Sequence, residues 1–307
     1  MKEYPRFALL VPTLNAGPRW RDWISALEVQ SCRPSRVLVL DSASTDETVT
    51  LAVKAGLEVV PIERRQFNHG GTRQQGVALL GHAVDVIVCL TQDAVLADRE
   101  ALEQLVAALV EPQVGAAYGR QLPAGGADPL ATHARLFNYS ATSRTVTRAD
   151  QAALGIKTCF MSNSFAAYRL EDLLAVGGFP SGVILGEDSS VAARLLLAGK
   201  AIRYQADACV YHSHNYTPLE EFRRYFDTGV FHARERWLLE AFGGAGGEGF
   251  RFVTSELRFL LSKAPWLIPS ALLRTACKLA GYRLGRAEAR LPVRLKRHLS
   301  MFRGFWG

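Results

Sequence analysis

Four short runs rich in apolar residues, separated by room for one helix and three of them followed by a polar cluster, set the strongest limit on what this 307-residue chain can fold into. They are Phe7-Ala8-Leu9-Leu10-Val11, Arg36–Asp41, Leu57–Pro61 and Val84–Leu90. A strand that is apolar on both faces needs cover on both, and a parallel sheet flanked by helices supplies it. Trp20, Trp23, Ile24, Leu27 and Val29 recur at helical spacing after the first run. Ser44 and Glu47 form an S-x-x-E capping box that opens a second helix. A turn at Gly70-Gly71 precedes a third helix reaching about Leu80. This alternation predicts an α/β fold with right-handed crossovers, a mostly parallel central sheet and flanking helices. Ligands of such sheets bind beyond the carboxyl ends of the strands. Thr13/Asn15, Asp41/Ser42/Ser44 and Thr91/Gln92/Asp93 all fall there.

Beyond residue 120 the pattern loosens. Thr158–Ala167 reads as a strand, Asp188–Leu197 as a helix, Ile202–Tyr211 as two short strands and Tyr216–Phe242 as one long amphipathic helix. Gly243-Gly244-Ala245-Gly246-Gly247 is a flexible break, and two or three helices follow it. The expected division is a Rossmann-like domain over 1–242 and a basic helical region over 243–307.

The side chains exclude several classes. Five cysteines without C-x-x-C spacing argue against a disulfide framework and a structural zinc site, and for a reducing cytosol. The Met1–Arg6 start lacks the apolar core of a secretory signal. The longest apolar candidate, Phe259–Leu273, contains Lys263, Pro265 and Pro269, so no membrane span is expected. The absence of G-x-G-x-x-G argues against a nicotinamide or flavin dinucleotide. Net charge is +7, and residues 251–307 carry twelve Lys/Arg against two Glu. The basic excess therefore lies in the last fifth of the chain, outside any recognised nucleic-acid module.

Each candidate residue has a chemical and a plain structural reading. Asp41 can accept the imide N–H of uracil or thymine, or cap the helix after it. Asp93 can hold a divalent cation bridging a diphosphate, or cap a helix. In Gly186-Glu187-Asp188, one acid can serve as general base and the other orient the loop; acids at a helix start are also favoured by the macrodipole alone. His212 and His214 alternate at a strand end, which sends them to opposite faces and leaves one as a partner for Asp93. Phe67-Asn68-His69-Gly70-Gly71-Thr72-Arg73 combines glycines that admit close backbone approach with an Arg on the opening turn of a helix, suited to a diphosphate.

As an ordered set, Val11-Pro12-Thr13-Leu14-Asn15, Asp41-Ser42-Ala43-Ser44-Thr45-Asp46, Thr91-Gln92-Asp93 and Gly186-Glu187-Asp188 resemble a family 2 glycosyltransferase of GT-A fold. Phe67–Arg73 and Thr91-Gln92-Asp93-Ala94 are similar to bacterial rhamnosyltransferases of O-antigen and related polysaccharide synthesis. The resemblance spans about residues 5–240. It implies nucleoside contacts from Pro12, Thr13, Asn15, Asp41, Ser42 and Ser44, with Thr91 and Gln92 beside them. It implies Mg2+ or Mn2+ on Asp93, helped by His212 or His214, and Asp188 as the base of an inverting displacement, with Glu187 next to it. Phe67, Asn68, His69, Gly70 and Arg73 would line the donor diphosphate and sugar. Many relatives carry D-x-D where this chain has Thr91-Gln92-Asp93, and an acid where Asn15 stands.

The implied donor is a nucleotide-diphosphate sugar, dTDP-L-rhamnose in the leading reading and a UDP-hexose in the alternative; a catalytically silent scaffold of an assembly complex is the third. The implied acceptor is a lipid-linked or polysaccharide glycan, at the cytoplasmic face of the inner membrane. The basic tail, with Trp266, Leu267, Ile268, Leu272, Leu273, Phe302, Phe305 and Trp306, is then expected to meet an anionic membrane surface. The alternatives for it are a lid and a homodimer surface.

Overall fold

The structure is a computed structural model that describes residues 4–244 and 246–307. The Met1–Glu3 start and Ala245 of the glycine-rich break lie outside the described residues. In chain order the elements are β1 (Phe7–Thr13), α1 (Arg19–Glu28), β2 (Arg36–Asp41), α2 (Thr48–Lys54), β3 (Glu58–Pro61), α3 (His69–Leu80), β4 (Val86–Leu90), β5 (Val95–Leu96), α4 (Ala101–Ala107), β6 (Val114–Leu122) and α5 (Pro129–Asn138). There follow β7 (Arg144–Val146), α6 (Gln151–Leu154), β8 (Phe165–Arg169), α7 (Leu170–Ala175), α8 (Glu187–Leu197), β9 (Ala201–Tyr211), α9 (Pro218–Arg234), α10 (Arg236–Phe242), α11 (Glu248–Lys263), α12 (Ile268–Arg286) and α13 (Val293–Leu299).

One sheet runs β3-β2-β1-β4-β8-β6-β9-β5, with β7 paired to β9. The expected parallel half is present: β3, β2, β1 and β4 run the same way, and Thr13 is in register with Asp41. β8 enters antiparallel between β4 and β6, so the sheet as a whole is mixed. The buried apolar strands divide two cores. On one face Leu10, Leu40, Ile87 and Tyr168 pack under α3 and α8; on the other Leu9, Val39, Val88 and Phe165 pack under α1 and α4. That two-faced burial is why these runs lack polar alternation.

Several local expectations are corrected. The Ser44/Glu47 capping box does not form. The Ser44 hydroxyl donates to Asp41, 2.6 Å away, and α2 begins at Thr48, whose N–H donates to Asp46. Ile202–Tyr211 is one strand, interrupted only by a register shift against β6 at Gly119/Arg120. The strand expected from Thr158 begins only at Phe165. Tyr216–Phe242 breaks at Glu235, and the turn lets Leu238 and Phe242 of α10 bury in the core.

The C-terminal region is three helices, and α12 lies tightly on α9. A Cβ on Gly281 or Gly285 would overlap backbone oxygens of Phe222 or Phe226, so small residues set that close approach. Phe302, Phe305 and Trp306 correct the membrane expectation: they pack inward on the main core, and Arg234 stacks over the last two rings at 5.1 Å. Trp266 is 73% exposed, and Leu272 and Leu273 are half exposed. No helix of the described residues is long and apolar enough to cross a membrane.

Candidate active site

A cavity of about 500 Å3 opens beyond the carboxyl ends of β4 and β6. Its wall includes His69, Arg73, Thr91, Asp93, Glu187, Asp188, His212 and His214, so eight of the residues singled out from sequence converge there. Pro12, Thr13, Asn15, Asp41, Ser42, Ser44, Phe67, Asn68, Gly70 and Gln92 are not part of that wall.

The acidic pair is held by long-range partners. Gly186, at φ 77°, turns the chain into α8, and a Cβ there would come within 2.8 Å of the Phe231 ring. Glu187 is buried and paired with Arg73 of α3 at 2.9 Å. Asn163 bridges both acids: its side-chain amide donates to Glu187 at 3.0 Å, and its backbone N–H donates to Asp188 at 3.1 Å. Tyr168 donates to the Asn163 carbonyl and fixes that orientation. Burial raises the Glu187 carboxyl, but Arg73, then His69 and Asn163, outweigh it and hold it below the usual range. Asp188 goes the other way. Burial and then the neighbouring Glu187 charge push it up to about 7. Two adjacent carboxylates with opposite shifts are the arrangement expected when one is structural and the other moves a proton.

Arg73 is thus committed to Glu187 and to the His69 carbonyl rather than to open space. Gly70 serves packing as well: a Cβ would overlap the Pro180 carbonyl oxygen, beside Glu187. Asn68 caps α3 by accepting the Gly71 N–H at 2.8 Å, and Phe67 meets the His69 ring edge-on.

Asp93 lies 3.4 Å from His212 Nε2 and 3.5 Å from His214 Nε2, and one donor atom from each residue lies within 4.8 Å of the others. The expectation that the two imidazoles diverge is corrected. β9 ends at Tyr211, so strand alternation no longer applies to them, and their rings meet at 4.7 Å. Gln121 orients the first ring. Its carbonyl oxygen, which also accepts from Arg135, faces His212 Nδ1 at 2.8 Å, so Nδ1 carries the proton and Nε2 turns its lone pair toward Asp93. Burial raises Asp93, but the facing His212 and His214 outweigh it and leave a net downward shift. Burial, then His212, lowers His214 to about 4, keeping it neutral and able to ligate. One carboxylate and two imidazole nitrogens, one of them oriented by Gln121, fit a divalent cation.

The nucleoside-side residues form a closed network. Asp41 is 3% exposed; one of its oxygens accepts from Thr13 and Ser44 hydroxyls at 2.9 and 2.6 Å, and the other from the Ser44 N–H. Asn15, at φ 47°, donates its N–H to Ser44 and accepts from the Thr45 N–H. The Ser42 N–H donates to the Thr13 carbonyl. Gln92 exchanges two hydrogen bonds with the Leu14 backbone, which ties the metal-side strand end to the β1 loop. Pro12 lies one step back in the ladder, against Leu40.

Sequence reading passed over Gln121, Arg135, Asn163 and Arg224, and it assigned Phe302 to a membrane surface rather than to this cavity. All come from the loosely patterned half of the chain and reach the cavity only through the sheet's second half or the C-terminal helices. Arg135 and Arg224 make no ion pair within 4 Å among the described residues, although both line the cavity with the Asp93 cluster.

Comparison with known proteins decides the family. The sequence model of glycosyl transferase family 2 matches residues 8–177, more than half of the chain. This chain belongs to glycosyl transferase family 2. It is 50% identical over 303 residues to the O-antigen chain rhamnosyltransferase WbaN of Salmonella anatum, across 98% of this chain and 96% of that protein. It is 51% identical over 302 residues to RfbN, an O-antigen chain rhamnosyltransferase of Salmonella typhimurium, with the same coverage. Among solved structures it is similar to the mannosyltransferase PcManGT of Pyrobaculum calidifontis, in complex with GDP-Man and Mn2+. The TM-score is 0.59 at 22% identity, over 99% of this chain and 86% of that one. The GT-A fold implied by the resemblance is the fold of this family 2 glycosyltransferase. The family match ends before the Glu187-Asp188 pair and the histidines, so those residues rest on the geometry above.

Proposed function

We propose that this glycosyltransferase transfers L-rhamnose from dTDP-L-rhamnose to a hydroxyl of a lipid-linked or polysaccharide acceptor in O-antigen synthesis, inverting the anomeric centre. The observation that carries this reading is the meeting, in one cavity, of the Asp93–His212–His214 cluster with an Asp188 raised to about 7. Near-full-length identity of about one half to two O-antigen rhamnosyltransferases supports the sugar and the pathway.

Asp93, His212 and His214 hold the divalent cation, and two imidazoles in the set favour Mn2+ over Mg2+, which prefers oxygen. When bound, such an ion offsets charge on the nucleotide diphosphate as it leaves. Arg135 and Arg224 face the same diphosphate as unpaired cations. Asp188 takes the proton of the acceptor hydroxyl while the acceptor oxygen attacks the anomeric carbon and the bond to the diphosphate breaks on the opposite face. The proton transfer is late, because a free alcohol is a far weaker acid than a carboxyl raised to about 7. Glu187, Arg73 and Asn163 keep Asp188 in place. Thr13, Asn15, Asp41, Ser42 and Ser44 form the nucleoside side, where buried Asp41 orders the loop through Thr13 and Ser44; Pro12, Thr91 and Gln92 shape that side. Phe67, Asn68, His69 and Gly70 shape the sugar side.

In this reading residues 1–242 are the catalytic unit and 243–307 a helical region that meets the cytoplasmic face of the inner membrane. Exposed Trp266, Leu272 and Leu273, with the local basic excess, support that contact.

The decisive experiment follows transfer with a panel of nucleotide sugars, Mn2+ and a lipid-linked glycan acceptor, with NMR of the product linkage. Rhamnosyl transfer with inversion is expected, abolished in Asp188→Asn while the dTDP-rhamnose Kd stays near wild type. Preference for a UDP-hexose would remove rhamnose from the reading, and full turnover by Asp188→Asn would remove the base.

A further inference from the structure

The segment after α13 folds back onto α9. Asp227, fully buried on α9, accepts the backbone N–H groups of both Met301 and Phe302, at 2.9 and 3.1 Å. Trp306 anchors the far end, with Arg234 and Lys296 each 5.1 Å from its ring and both paired to buried Glu288. Held at two points, the segment presents Met301 and Phe302 to the cavity beside Phe231 and Leu185. The Phe302 ring stands edge-to-face with His69, centroids 4.5 Å apart, and His69 lies next to Glu187. An apolar shelf of Phe302, Phe231 and Leu185 therefore lines the same cavity as the charged groups Asp188, Asp93 and Arg135.

That contrast selects a substrate. A hexose and its 6-deoxy counterpart differ at C6, where one carries a hydroxymethyl and the other a methyl. A methyl gains by burial against an aromatic ring, whereas a hydroxyl buried there loses its water without finding a partner. Resting on the rhamnosyl reading above, we propose that Phe302, positioned by Asp227, contacts the C6 methyl of the transferred sugar and makes the enzyme selective for 6-deoxyhexosyl donors. The segment after α13 thereby sets specificity for a site whose acids and histidines come from α3, α8 and the ends of β4 and β9.

The test compares dTDP-L-rhamnose with synthetic dTDP-L-mannose, which differs from it only by the 6-hydroxyl. Wild-type enzyme is expected to favour rhamnose by about 10- to 100-fold in kcat/KM, the range one such group commands in an apolar pocket. Phe302→Ala should lower that ratio at least fivefold, mainly by slowing rhamnosyl transfer, with dTDP affinity in Mn2+ unchanged. Asp227→Ala should reproduce the loss of selectivity, and Asp227→Asn, which keeps a carbonyl acceptor for both N–H groups, should restore it. A wild-type ratio near one overturns the proposal without recourse to any variant. So does Phe302→Ala with its selectivity intact, or Asp227→Asn as unselective as Asp227→Ala. If dTDP itself does not bind with Mn2+, the rhamnosyl reading fails first and this one with it.

Discussion

Glu187→Gln offers a signed test of how the acidic pair works. Asp188 rises from an ordinary carboxyl near 3.8 to about 7 because burial disfavours its charge and Glu187 repels it. A base must be ionised to act, so kcat/KM should fall about tenfold for each pH unit below 7 and level off above it. Glutamine removes the repelling charge yet can still accept from Arg73 and Asn163. Burial is the larger cause of the shift, so losing Glu187's charge should lower the Asp188 pKa by about one unit, near 1.4 kcal/mol. At pH 6 the ionised fraction then climbs from about one tenth to about one half, and activity relative to the plateau rises about fivefold. The buried Arg73 loses its counter-charge, so stability should drop, by up to about 3 kcal/mol. Initial rates from pH 5 to 9 at saturating Mn2+, on protein shown folded by its thermal melt, give the answer. An acid limb that stays put, or moves to higher pH, refutes the reasoning.

Three further outcomes are expected. Gln121→Ala frees the His212 ring to rotate, so Mn2+ affinity should fall about 10- to 100-fold; a titration followed by electron paramagnetic resonance reads it, and an unchanged Kd would deprive Gln121 of its role. Gly70→Ala puts a methyl into the Pro180 carbonyl and should cost about 1–3 kcal/mol. Urea unfolding measures that loss, and a midpoint equal to wild type would contradict the close approach. Trp266→Ser with Leu273→Ser should weaken binding to anionic vesicles, as should added salt. Vesicle sedimentation indifferent to both would favour a lid or a homodimer for the helical region.

The first ninety residues were legible because β1, β2 and β4 are largely apolar on both faces and each of their ends carries its own polar group. Local pattern and local chemistry point the same way there. The second half was less so. β8 joins the sheet between β4 and β6 although it follows β6 in the chain, and nothing in its own residues records that insertion. The Ser44/Glu47 box shows the converse: a local signal was overridden when Asp41, a strand-end carboxylate, took the serine hydroxyl.

What the sequence alone determined is therefore the α/β scaffold, the strand-end polar clusters and the resemblance they compose, since all three depend on residues close together in the chain. Why the two adjacent carboxyls shift in opposite directions was decided only by tertiary structure, through Arg73 arriving from 114 positions away to hold Glu187 and leave Asp188 to burial and repulsion. The convergence of both histidines on Asp93, and the return of Phe302 to His69, were decided the same way. Charge, burial and shape at a site are sums over everything packed around it, and no stretch of chain carries that sum by itself.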